Sequence, residues 1–206
     1  MVMDLIETAI RNLKRNRISA GLIASAEDFL AYIDTHLFPG CVAGTGDSVS
    51  LEQLGLHGHL RNRDVLFLDK YARGISPEEK RQIYLRNFGC DVFFSGINAL
   101  SGTGEIFNLD GNGSRVAPVI YGPKKVFLVC GRNKITATAE EAIRRIKTTA
   151  APKDAKRLGK NTPCVHTGTC IDCKSPDKIC NYLTVIRGQF DEHRIEVIII
   201  DRDLGY

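Results

Sequence analysis

Nowhere does this sequence hold an apolar run long enough to cross a bilayer. Its longest clean runs, residues 126–130 and 197–200, are strand-sized, against about 20 residues for a spanning helix. No membrane association of that kind is expected. The N-terminus also lacks the order of a secretory leader, which sets basic charge before an apolar core. Here Asp4 and Glu7 sit among the first apolar residues, and Arg11, Lys14, Arg15 and Arg17 follow. An amphipathic helix over residues 1–17 and a cytoplasmic location are the expectation.

A basic stripe is missing too. The net charge is only +4, and the basic residues are spread along the chain. Two local clusters, 11–17 and 153–160, read as a solvated helix face and a basic loop, so no nucleic-acid partner is expected. No P-loop lysine motif, Ser-His-Asp order or zinc-protease helix occurs. Gly102 and Gly104 lack the third glycine and the strand-to-helix setting of a dinucleotide fingerprint. With no flavin or NAD motif, any hydride chemistry would have to come from a partner. Internal repeats and low-complexity linkers are absent.

What is present fits one α/β domain over residues 1–206, with 43% apolar and 25% charged residues. Leu5, Ile6, Ala9, Ile10 and Leu13 have helical spacing. Ser25 caps a helix over 26–37, and Ser76-Pro77-Glu78-Glu79 opens another that runs to about residue 88. Thr138 caps a helix over 139–150. Residues 20–24 are a short apolar run, and strands are expected at 41–43, 64–69, 91–95, 124–130 and 194–200. Turn signals around 102–104 and 110–113 frame the short strand 105–109 and suggest hairpins. Residues 44–48 and the His57–His59 region read as loops, and 153–182 as an irregular basic, cysteine-rich stretch. Apolar strands alternating with helices imply a parallel or mixed sheet covered on both faces.

Of seven cysteines, Cys41, Cys90 and Cys130 sit among apolar residues and read as buried thiols. The other four, Cys164, Cys170, Cys173 and Cys180, crowd into the segment 162–182. Thiolates suit zinc or an iron–sulfur cluster, and four so close in sequence could wrap one metal, with His166 as a substitute ligand. Free thiols, or a redox disulfide on a surface loop, are the alternative. His57 and His59 at i, i+2 show no third ligand.

Gly44, Thr45, Gly46, Asp47 and Ser48 follow a strand and precede a helix, where backbone amides favour a small anion. Asp47 argues against one, because its charge would repel it; a plain capped turn is the alternative reading. Asn98, Asn112 and Arg115 could line a cleft beside it, Arg115 as a planar anion fork. Ligands of parallel sheets bind beyond the carboxyl ends of strands, which brings Arg132 and Lys134 nearer a site than Lys124. Solvated strand-end charges would explain them equally.

Several stretches carry a family resemblance. The run 91–135 holds Asp-Val-Phe-Phe-Ser-Gly-Ile-Asn, Gly-Thr-Gly-Glu-Ile-Phe-Asn-Leu-Asp-Gly-Asn-Gly and Gly-Arg-Asn-Lys-Ile. Together with the 44–55 segment it resembles the signature of the lactate-utilisation (LUD-domain) family. Thr162-Pro163-Cys164, Cys170-Ile171-Asp172-Cys173 and Ser175-Pro176-Asp177-Lys178-Ile179-Cys180-Asn181 resemble its cysteine-bearing branch. The resemblance implies a Rossmann-like open sheet similar to the sugar-phosphate isomerase and CoA-transferase group. In that group a loop like 44–48 holds phosphate, and a glutamate in the region of Glu105 can act as nucleophile. An exposed hairpin glutamate is the plainer reading of Glu105. The resemblance also implies hydroxy-acid oxidation alongside iron–sulfur redox partner proteins, and it favours an iron–sulfur cluster over zinc.

Three functions follow as expectations. The first is a redox-associated subunit or accessory of lactate utilisation that binds a small anionic metabolite. The second is an independent isomerase- or transferase-like enzyme using Glu105. The third is a non-catalytic, zinc-stabilised interaction module. An oligomer is compatible with each.

Overall fold

A computed structural model describes residues 2–206. The amphipathic N-terminus forms α1 (Val2–Arg15), which buries Ile6, Ala9 and Leu13 at the expected spacing; Met1, the first residue of the expected helix, lies outside the described residues. Then come β1 (Ser19–Ile23) and α2 (Ala26–Asp34), where Ser25 Oγ accepts from the Asp28 amide. Strand β2 (Cys41–Thr45) leads to α3 (Val49–Gln53), α4 (Leu56–Arg61) and β3 (Val65–Leu68). Helix α5 (Pro77–Arg86) begins with a full capping box between Ser76 and Glu79.

Strand β4 (Val92–Gly96) precedes a hairpin of β5 (Ala99–Ser101) and β6 (Ile106–Asp110). Next are α6 (Val116–Ile120), β7 (Lys125–Gly131), a 3-10 turn (Arg132–Lys134) and β8 (Ile135–Thr136). Helix α7 (Ala139–Arg145) passes through a π-turn (Ile146–Ala150) into α8 (Ala151–Arg157). The chain ends with α9 (Pro163–Thr167), β9 (Tyr182–Ile186) and β10 (Ile195–Ile200).

Six strands form the main sheet, in the order β1-β10-β7-β4-β2-β3 with every neighbouring pair parallel. Its inner strands are apolar because helices cover both faces. Side chains alternate between those faces. Phe93, Leu128 and Val197 pack with Ile6 and Leu13 of α1. Phe94, Phe127 and Ile198 pack with Phe29 and Ile33 of α2 and Leu56 and Leu60 of α4. The hairpin expected at 102–113 belongs to a second, mixed sheet, β8-β5-β6-β9. Ala142 of helix α7 and Ile146 of the π-turn after it cover this sheet, packing with Ala99 and Phe107.

Several expectations need correction. Gly44 and Thr45 finish β2 instead of belonging to a loop. His57 and His59 ride on α4, whose start at Gly55 in the left-handed region gave no side-chain capping signal. The helix expected to end before Pro152 continues past it. Proline in a first turn lacks only an N–H that would be unpaired there, and the π-turn supplies the new start. The stretch 153–182 therefore carries α8 and α9. Strand β9 was not expected, since Tyr182, Leu183 and Val185 are exposed and give no buried period; it forms by backbone pairing to β6. Among the described residues no helix is long and apolar enough to cross a membrane.

The topology locates a crevice. From β2 the chain steps outward to β3, then returns to β4 on the other side of β2 and continues to β7 and β10. The reversal sits between β2 and β4, and such a switch point opens at the carboxyl ends of the strands.

Candidate functional site

A cavity of about 460 Å³ occupies that carboxyl edge. Asp47 and Ser48 reach it after β2, Lys70 after β3, Asn98 after β4 and Lys134 after β7. The β6–α6 turn supplies Asn112 and Arg115, α8 supplies Arg157, and residues 176–179 of the cysteine segment close one wall.

Lys70 is the least expected of these. It is only 4% exposed, and its Nζ makes no hydrogen bond and no ion pair among the described residues. Its ammonium instead lies 5.0 Å from the ring centre of Tyr71 and 5.8 Å from that of Tyr84. Burial pushes its pKa down to about 8 despite the nearby Asp47 charge. Lys134 is 6% exposed and likewise held at about 8, chiefly by burial. Its Nζ donates to Ser50 Oγ at 2.9 Å and meets no carboxylate. Two buried ammonium groups without carboxylate partners therefore line one cavity.

Asp47 does not carry an open negative charge. Arg157 Nη2 donates to it at 2.7 Å and the Tyr71 hydroxyl at 3.0 Å. Burial alone would raise this carboxyl, but the Arg157 hydrogen bond and the Lys70 charge hold it below the usual range. Arg115 is a braced group, not an open fork. Its Nη2 donates to Asn98 Oδ1 at 2.9 Å and to the Leu109 carbonyl at 2.6 Å, and its Nη1 to Asn108 Oδ1 at 3.4 Å. Asp110 stands 3.8 Å from its Nε and accepts the amides of Arg115 and Val116.

The other sequence candidates divide. Asn98 and Asn112 line the cavity; Asn112 Oδ1 accepts the Ser114 amide at 3.0 Å, so it also shapes its own turn. Ser48 lines it too, but its Oγ accepts the Leu51 amide as the cap of α3. Gly44 packs away from the cavity, where a Cβ would strike Asn87 and Phe93. Thr45 is buried, its Oγ1 without a partner. Gly46 permits close approach: a Cβ there would stand 2.7 Å from Arg115 Cγ and 2.9 Å from Ser95 Oγ.

Arg132 is exposed and pairs with Asp201 and Asp203, outside the cavity lining. Glu105 also lies outside it, at the hairpin, accepting from Thr103 Oγ1 at 3.0 Å and pairing with exposed Arg187 at 3.2 Å. Glu105 and the carboxyl-edge cavity are therefore separate places in the fold. His59 binds Asp34 at 2.7 Å, while His57 packs on Phe67 and Tyr71, so the two do not converge.

Cys41, Cys90 and Cys130 are buried free thiols, as expected. Cys164, Cys170, Cys173 and Cys180 are half-buried and free. They share a neighbourhood: after burial, the charges of Cys170, Cys173 and Cys164 contribute to raising the Cys180 thiol. The Asp172 amide, on a residue with φ 52°, donates to Cys170 Sγ at 3.4 Å, so the turn already directs an N–H at a sulfur. The donor chemistry suits a thiophilic metal. The placement does not: among the described residues no three His, Cys, Asp or Glu side chains stand where they could hold one ion.

Lys70, Tyr84 and Arg157 escaped the sequence reading. The carboxyl-edge rule that singled out Lys134 after β7 applies equally to Lys70 after β3. Arg157 lay within the basic 153–160 cluster, which read as a solvated loop because α8 was not expected.

An open parallel sheet, covered on both faces and bearing a cationic cavity at its switch point, defines a Rossmann-like α/β protein. The LUD domain model matches residues 6–200, and the chain belongs to the LUD-domain family. A crystal structure of a DUF162 family protein from Deinococcus radiodurans has the same fold, with a TM-score of 0.52 at 16% identity over 97% of this chain and 96% of that one. No curated protein matches the chain.

Proposed function

We propose that this LUD-domain protein binds a small anionic metabolite in its carboxyl-edge cavity and serves lactate or related hydroxy-acid utilisation as a subunit or accessory protein. One observation carries the reading: Lys70 and Lys134 are both buried at one cavity, and among the described residues no carboxylate stands in ion-pair contact with either. An ammonium taken from water without a counter-charge is costly, and a bound anion removes that cost. Arg115 and Arg157 add fixed positive charge to the wall while already satisfied by the protein. Electrons would pass through iron–sulfur redox partner proteins, since the chain has no flavin or nicotinamide fingerprint.

Isothermal titration with lactate, pyruvate and inorganic phosphate tests this. Saturable binding of at least one, weakened about tenfold or more in Lys70→Met and Lys134→Met, is expected from loss of a charge-assisted contact. Binding unaffected by either substitution would move the ligand site elsewhere.

A second reading is favoured by the N–H that Asp172 directs at Cys170 Sγ. We infer that Cys164, Cys170, Cys173 and Cys180 take up an iron–sulfur cluster or zinc once the segment closes around it. Metal and acid-labile sulfide in anaerobically purified protein, lost in Cys170→Ser and Cys173→Ser, would support it. Metal-free protein that also fails to take up zinc would remove it.

A further inference from the structure

We propose that Lys70 is a nucleophilic amine that captures a 2-oxo acid in the carboxyl-edge cavity as an imine. The inference rests on the anion-binding reading and adds a covalent step to it. An amine competes for a carbonyl only if its nitrogen is reachable and not committed to another partner. Of the two buried lysines only Lys70 qualifies. Lys134 Nζ is tied to Ser50 Oγ at 2.9 Å, and the C-terminal segment crowds it: a Cβ on Gly205 would stand 3.2 Å from that nitrogen. Lys70 Nζ has neither constraint: Lys70 lines the cavity beside Tyr84, and its nitrogen lies over the Tyr71 and Tyr84 rings.

The surroundings raise the neutral fraction of this amine above that of an ordinary lysine. Desolvation and neighbouring positive charge are the two means by which proteins activate a lysine, and both act here. Burial is the larger, and the charges of Lys80 and Arg115 work in the same direction, against the nearby Asp47 and Asp110 carboxylates, which favour the ammonium. The same cations make the cavity select a carbonyl compound that carries an anionic group. A 2-oxo acid has both, and it is what oxidation of a 2-hydroxy acid yields.

The step balances without an added oxidant or reductant. The Lys70 nitrogen lone pair attacks the carbonyl carbon and forms the C–N bond. The carbonyl oxygen then leaves as water, taking the two protons of the amine. Hydrolysis reverses the capture and releases the oxo acid.

Reductive trapping tests it on the full-length protein. Pyruvate and borohydride should leave one carboxyethyl group per chain, mapped to Lys70 by peptide mass spectrometry. The label should saturate with pyruvate, fall when oxalate competes, vanish in Lys70→Arg and persist in Lys124→Arg, an exposed lysine outside the cavity. Label scattered over exposed lysines, or none, would overturn the proposal. The wild-type peptide map decides even if Lys70→Arg fails to fold. Oxalate binding measured by calorimetry separates the two claims: binding without trapping leaves the anion cavity standing and makes Lys70 a purely electrostatic contact.

Discussion

Arg157 reaches Asp47 across 110 positions of sequence, its Nη2 donating to the carboxylate at 2.7 Å. The pair reverses an expectation drawn from Asp47 alone, that its charge would repel an anion. The same guanidinium also holds Asp154 at 2.8 Å, so α8 delivers a cation already braced toward the cavity. Arg157→Gln should expose the Asp47 charge and weaken anion binding about tenfold, the scale of a charge-assisted hydrogen bond. Asp47→Asn should leave affinity unchanged or raise it. Parallel calorimetric titrations of the two variants check the opposite signs; equal losses in both would mean the pair only supports the fold.

The two buried lysines set a pH dependence. Each has a pKa of about 8, against 10.5 for an ordinary lysine. Between those values the unfolded chain binds more protons than the folded one, so stability rises with pH across the window. Below about pH 8 both lysines are charged in both states and the burial cost stands in full. The buried thiols of Cys90 and Cys130, pushed up to about 12 and about 11 by burial, act in the opposite sense above pH 9. Thermal stability should therefore climb from pH 7 toward 9 and then turn down, and Lys70→Met should flatten the climb. Anion affinity should fall as pH rises through 8, because the ligand needs the charged amines. Melting curves at pH 7 and 9, with and without phosphate, read both effects; a larger phosphate shift at pH 9 would contradict the assignment.

Gly46 lies where backbone and Arg115 meet. Alanine there would set its Cβ 2.7 Å from Arg115 Cγ. Overpacking of this kind costs about 1–3 kcal/mol. The displaced Arg115 should also lose its 2.9 Å bond to Asn98 Oδ1, which in turn accepts the Leu109 amide. Gly46→Ala is expected to lower the melting temperature and weaken anion binding together. Weak binding with an unchanged melting temperature would mean that the cavity, not the packing, is affected.

The main sheet was legible because its strands are apolar on both faces and its helix caps are explicit, as at Ser25, Ser76 and Thr138. Lys134, Asn98, Asn112 and Arg115 were legible as site candidates because turns and strand ends mark them. What escaped has a physical reason in each case. Strand β9 buries no side-chain stripe. Helix α8 begins at a proline that usually signals an end. Lys70 resembles a solvated strand-end lysine until burial by Tyr71 and Tyr84 is known. Arg132 looked equivalent to Lys134, yet Asp201 and Asp203, close to it only in the fold, claim it.

Asp177 joins the cysteine segment to the cavity. Its carboxylate accepts the Asn161 amide at 2.7 Å and Lys160 Nζ at 3.1 Å, and both bonds pin the wall that lies between Cys173 and Cys180. On the far side, Asn181 Nδ2 donates to the Gly111 carbonyl at 2.9 Å. A ligand that fills the cavity should hold residues 176–179 in place and so restrict the flanking thiols. By linkage, freeing the wall must cost ligand affinity to the same degree. Asp177→Ala is expected to speed alkylation of Cys173 and Cys180 by iodoacetamide and to weaken anion binding. A saturating anion should slow alkylation of the wild-type protein but hardly that of the variant. Alkylation rates indifferent to both anion and substitution would show that the wall and the cavity move independently.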